Sequence, residues 1–137
     1  MYTDHLGSIP VALSGNSPQP APKYAIAGDQ PKTNPGSPTY PLDMFAALTG
    51  DRKFLTVAIV NATESEQKFD LSVTGAQIAG PSTLWQMTGS SPDAANHLGQ
   101  PQQVEVKEIQ IGNAQGTITV APISVNIYRF PVGQAAQ

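Results

Sequence analysis

Between Phe54 and Val73 the chain passes from one hydrophobic rhythm to another. Residues 54–61 read Phe-Leu-Thr-Val-Ala-Ile-Val-Asn. In an extended strand Leu55, Val57 and Ile59 fall on one face. Phe54, Ala58 and Val60 fall on the other, with Thr56 polar among them. A strand apolar on both faces belongs inside a sheet or beneath a second layer. From Lys68 to Val73 the pattern alternates: Phe69, Leu71 and Val73 one way, Lys68, Asp70 and Ser72 toward water. That predicts a strand with one buried face. The polar residues from Asn61 to Glu66 read as a hairpin loop joining the two. Together they predict the seed of an antiparallel β-sandwich.

The rest of the chain repeats short apolar runs between turn formers. Leu42 to Leu48 predicts a strand of mixed burial, and Thr49 to Lys53 a charged turn. Ala76 to Ala79 is a short apolar element, and Thr83 to Thr88 a strand with Trp85 and Met87 on one face. In Val104 to Ile111 the alternation slips at Lys107-Glu108, which predicts a bulge or a break. Ile118 and Val120 face inward on the next strand, and Pro122 marks a corner. Ile123, Val125 and Ile127 then alternate with Ser124, Asn126 and Tyr128 in a last strand ending near Phe130. Residues 132–137 read as a frayed tail. At the front, Met1 to Leu6 reads as the last turn of a helix closed by Gly7. One turn cannot nucleate alone, so the chain reads as cut from something longer. Ser8 to Leu13 is a short strand that Pro10 sends to an edge or a bulge. The expected set buried between two sheets is Leu55, Val57, Ile59, Phe69, Leu71, Trp85, Val125 and Ile127.

Ser14 to Pro41 differs in character. It carries seven of the thirteen prolines, and only Tyr24, Ala25 and Ile26 offer anything to bury. It reads as an extended excursion over the surface. The plainer role for Tyr24 and Tyr40 is to anchor this excursion; the sharper one is to stack on a sugar.

Composition narrows the function. With 137 residues the chain is one domain: residues 8–131 as the sandwich, 14–41 as the excursion within it, 1–7 and 132–137 outside it. The net charge of −3 and the absence of a basic patch argue against nucleic acid as a partner. No apolar run is long enough for a membrane helix, so no membrane partner is read. The opening residues carry no apolar signal-peptide core, and the compartment stays open. With no cysteine there is no disulfide, thiolate metal site or cysteine nucleophile. The prolines and glycines among short apolar runs favour an all-β fold.

No residue constellation announces chemistry. His5 and His97 are the only histidines, one in the opening turn and the other in a polar loop, and no three or four ligands fall at metal-site spacing, so neither a metal nor a cofactor site is read. There is no nucleophile elbow and no phosphate loop. A sugar hydrolase needs two carboxyl groups astride the scissile bond. Asp51, Glu64, Glu66, Asp70, Glu105 and Glu108 all read as surface charges in turns, loops or on polar faces. Asn61-Ala62-Thr63 matches the glycosylation sequon but reads as a turn-shaping asparagine. Trp85, flanked by Leu84 and Met87, reads as core rather than as a sugar platform.

Several stretches resemble one family in order and spacing. They are Tyr40-Pro-Leu-Asp-Met-Phe-Ala-Ala-Leu, Phe54-Leu-Thr-Val-Ala-Ile-Val-Asn-Ala-Thr, Leu84-Trp-Gln-Met-Thr-Gly, Asn96-His-Leu-Gly-Gln-Pro-Gln-Gln-Val and Ala121-Pro-Ile-Ser-Val-Asn-Ile-Tyr-Arg-Phe. The family is the C-terminal domain of glycoside hydrolase family 51 α-L-arabinofuranosidases. Met1-Tyr-Thr-Asp-His-Leu-Gly resembles the tail of the last helix of that family's catalytic barrel. The resemblance covers most of the chain except residues 15–39. It implies a jelly-roll-like β-sandwich packed against a (β/α)8 barrel, with strand material contributed from before the barrel. It implies that the catalytic glutamates lie on the barrel, so no catalytic residue is carried over here. The partners it implies are that barrel and further copies of the chain, in an enzyme releasing arabinose from arabinan- or arabinoxylan-type glycans. Two other functions compete: a free-standing carbohydrate-binding module, and an adhesion-type sandwich without a sugar role. A docked domain should leave apolar side chains uncovered, and Ile9, Val11, Met44 and Phe45 are the candidates.

Overall fold

The computed structural model describes residues 1–17, 38–113 and 116–133 in full and the backbone of 23–25, 33–35 and 134. One helical turn opens the chain, α1 (Tyr2–His5). Strands follow: β1 (Ile9–Pro10), β2 (Lys23–Ala25), β3 (Thr33–Pro35), β4 (Leu42–Leu48), β5 (Phe54–Asn61), β6 (Gln67–Asp70), β7 (Ala76–Ile78), β8 (Pro81–Thr88), β9 (Glu105–Asn113), β10 (Thr117–Val120) and β11 (Ser124–Gln134). Among the described residues they form a seven-stranded antiparallel sheet in the order β1-β4-β5-β11-β8-β9, with β7 paired to the end of β11. A second sheet pairs β10 with β6 across its inner face, and β2 pairs with β3 inside the proline-rich excursion. The fold is the expected all-β sandwich.

The alternation of β5 explains the two sides. Leu55, Val57 and Ile59 join Leu42, Ala46, Leu84, Tyr128 and Phe130 of the large sheet and Ile118 and Val120 of the small one in the core between the sheets. Ala58 faces the opposite way, with Ile127 and Trp85. Trp85 is 7% exposed. It is therefore buried as expected, but beneath α1 on the outer face and not between the sheets. Ile127 shares that placement. Phe69 and Leu71 are half-buried against the core, and Val125 is half-buried.

Four local expectations change. β5 and β6 are not a hairpin: both edges of β5 are taken, by β4 and β11, so the chain crosses to the other sheet. The Asn61 amide fastens this crossing. Its Nδ2 donates to Ser65 O and Ala121 O at 2.9 Å, and its Oδ1 accepts from Thr63 N at 3.0 Å and Thr63 Oγ1 at 2.8 Å. The slip at Lys107-Glu108 is no bulge. β9 runs through it, and the register shifts instead beside Pro81/Ser82. The slip in alternation is a change of face: Val106 is level with Met87 on the outer face, and Ile109 is level with Leu84 on the core face. Residues 132–134 are not frayed, because Val132, Gly133 and Gln134 pair with β7. Gly7 is not the cap of α1. Leu6 caps it with extended backbone, and Gly7 is required because a Cβ there would lie 2.4 Å from Leu48 O.

Candidate functional site

The registers of the large sheet assemble a second apolar surface, on the side away from the core. Opposite residues in an antiparallel pair share a face. The pairings Phe45↔Ala58, Ala58↔Ile127 and Ile127↔Trp85 make one row across β4, β5, β11 and β8, ending at Glu108 on β9. The neighbouring row runs Asp43, Val60, Val125, Met87 and Val106. A third runs Ala47, Thr56, Arg129, Thr83 and Gln110. Two rows are thus apolar except at the sheet margins.

α1 is seated on this surface. The His5 ring stacks on Trp85 with centroids 4.0 Å apart and planes 8° from parallel. Met1 and Leu6 pack on Ala58, Trp85 and Ile127. The Trp85 indole Nε1 donates to Glu108 Oε2 at 2.9 Å. Gly7 N donates to Thr56 Oγ1 at 2.8 Å, and that hydroxyl donates to Ala47 O at 2.9 Å. The seat covers only the middle of the face. Phe45 is 45% and Val106 46% exposed, and Tyr2, Leu6, Phe45, Ala58 and Val60 help line a shallow depression of roughly 290 Å³ between α1 and β4.

Arg129 stands in the polar row. Its guanidinium lies over the Phe54 ring at 3.8 Å, a cation–π contact. Its Nε is buried without a hydrogen-bond acceptor. The ion pairs of the described residues are Met1 N-terminus–Asp4, Lys68–Glu66 and Lys107–Glu105, so Arg129 has no acidic partner among them.

A second incomplete surface lies between the sheets. A cavity of about 880 Å³ is lined by Val11, Leu13, Met44, Leu55, Phe69 and Leu71 with their neighbours. There the small sheet stops short of covering β4 and the segment after β1. Of the four residues expected to be uncovered, Phe45 is exposed on the outer face, Met44 and Val11 line this cavity, and Ile9 is half-buried at the sheet edge.

The two tyrosines considered for sugar stacking are not brought together as a described site. Tyr40 is half-buried just before β4, and its carbonyl accepts a hydrogen bond from Ser17 Oγ. Tyr24 sits opposite Asn34 in the β2–β3 pair, and its side chain lies outside the described residues. All the acidic side chains among the described residues are exposed. Asp51 is held below the usual carboxylate range by hydrogen bonds from Thr49 Oγ1 and the Lys53 amide, and by the nearby Lys53 charge. That is a turn device: the bonds close the β4–β5 connection. Among the described residues no three metal-ligating side chains cluster. Sequence reading missed Arg129 and the Trp85–Glu108 bond. Both depend on β8, β9 and β11 being neighbours, and the only hint in the sequence was an arginine within the apolar closing strand.

Fold and surface together define a β-sandwich with an apolar outer face that receives helical structure. It is similar in fold to parts of larger solved proteins. The chain is similar over 93% of its length to 26% of the thermostable glycoside hydrolase family 51 α-L-arabinofuranosidase from Thermotoga petrophila, with a TM-score of 0.68 and 22% identity. It is similar over the same share to a second arabinofuranosidase, with a TM-score of 0.65 and 21% identity. The α-L-arabinofuranosidase of Thermotoga maritima, solved with arabinose, matches 92% of the chain with a TM-score of 0.63 and 20% identity. At these identities the likeness is one of fold. The chain spans about a quarter of the length of these enzymes, 26% in each case. No protein-family profile and no curated protein sequence matches it.

Proposed function

We propose that the chain is the non-catalytic β-sandwich domain of an α-L-arabinofuranosidase acting on arabinan- or arabinoxylan-type glycans, and that it braces a catalytic (β/α)8 barrel. The observation that carries this is the outer face of the large sheet, apolar across its strands and holding a helical turn on Trp85. In this reading residues 1–7 are the end of the barrel's last helix, and the barrel covers Phe45, Val60 and Val106. The cavity between the sheets supports the same reading, because strand material from before the barrel would fill it. The exposure of the described carboxylates also supports it. Glycoside hydrolysis needs a carboxyl group held protonated by its surroundings, facing a second one roughly 5–9.5 Å away.

The purified 137-residue chain should release no aryl group from an aryl α-L-arabinofuranoside above the buffer rate, while the full-length protein of the same gene should do so. Turnover by the isolated chain that disappears when one of its carboxylates is changed to the amide would sink this assignment.

A further inference from the structure

We infer that Arg129 is the anion contact of the outer face, taking a carboxylate from a helical element of the adjoining domain. This rests on the function proposed above and adds the chemistry of the partner surface. Arg129 lies on the central strand β11, between Thr56 of β5 and Thr83 of β8. It is beside the seat of α1, since Thr56 is also the acceptor for Gly7 N. Stacking on Phe54 fixes the guanidinium plane but supplies no counterion. An arginine stays charged at any pH a protein meets, and a charge taken out of water without a partner is costly. While the face is bare, the outer guanidinium nitrogens are open to solvent, since only Nε is buried. Nε already lacks an acceptor, and a cover of apolar atoms alone would strand the others.

Whatever covers this face must therefore bring an acceptor, and a carboxylate matches the guanidinium fork with two parallel hydrogen bonds. A helical piece of the chain already occupies the adjacent ground, and the chain is only 26% of the length of the enzymes it resembles. The adjoining domain is thus a cover continuous with an existing contact. A second copy is disfavoured. A two-fold pairing of this face with itself would bring Arg129 on one central strand toward Arg129 on the other.

The test compares R129Q and R129K in the full-length protein and in the isolated chain. In the full-length protein R129Q should split a single calorimetric unfolding transition into two, the lower at the melting temperature of the isolated chain. R129K, which keeps charge but loses the fork, should fall between. In the isolated chain R129Q should cost only the Phe54 stack, a shift small beside that in the full-length protein. Equal shifts in both contexts, or an unchanged transition in the full-length R129Q protein, overturn the inference. So does an isolated chain that sediments as a dimer dissociated by R129Q, since the occupant is then a second copy. If the gene encodes no further domain, this inference and the proposed function fall together. If R129Q uncouples a domain that has no arabinofuranosidase activity, the proposed function fails and the contact stands.

Discussion

Thr56 carries more of the structure than its size indicates. It is fully buried in β5, and its hydroxyl joins β4 to the end of α1 by donating to Ala47 O and accepting from Gly7 N. Thr56→Val keeps the shape and strands both partners. It should lower stability by about 1–3 kcal/mol in urea unfolding, the usual cost of leaving a buried polar group unpaired. Tyr128 sets a limit at the alkaline end. Burial in the core pushes its phenol up to about 12 from 10.0. Its folded pKa is the higher one, so the neutral form belongs to the folded state. The associated stability is fully present below pH 10 and drains away as the pH rises toward about 12. Ultraviolet titration should show one tyrosine ionising after the others, and Tyr128→Phe should remove that late step and flatten the alkaline loss of stability. Neither residue stands out in the sequence. A threonine in an apolar strand looks like an interruption until its register places it under a glycine.

At the scale of elements, α1 is a lid over the chain's single tryptophan. Deleting residues 1–6 should leave the sandwich folded, because no residue of α1 is fully buried and its contacts are confined to the outer face. Trp85 emission should then shift to the red and become open to acrylamide quenching. Unchanged emission would mean that other side chains shield the indole. The runs that form β4, β5 and β11 were legible in the sequence, but the face of β11 that enters the core was not: Tyr128 and Phe130 lie between the sheets, and Ile127 lies on the outer face. Pairing was less so. The run after Asn61 has the pattern of a hairpin partner, but pattern fixes which face is buried and not which sheet does the burying. The apolar outer face was legible only in fragments. Its rows are made of residues far apart in sequence, brought level by the registers of β4, β5, β11, β8 and β9. The family resemblance implies a docked domain; the structure shows an apolar outer face, with Phe45 and Val106 exposed.

For the molecule as a whole, the strand order sets the boundary conditions. The large sheet consists of an early half, β1-β4-β5, and a later half, β8-β9, with β11 as the strand that bonds to both. β11 also supplies Tyr128 and Phe130 to the core and Ile127 and Arg129 to the outer face. It holds the end of β7 as well. The last strand of the order in sequence is thus a middle strand in space. A ribosome making this chain releases the two halves of the sheet first and the strand between them last. Until Ser124–Gln134 has emerged, β5 and β8 each show a bare edge, and Trp85 lacks Ile127 beside it. The sandwich therefore closes at the end of its own synthesis, and the growing chain needs protection from edge-to-edge pairing for as long as that strand is missing.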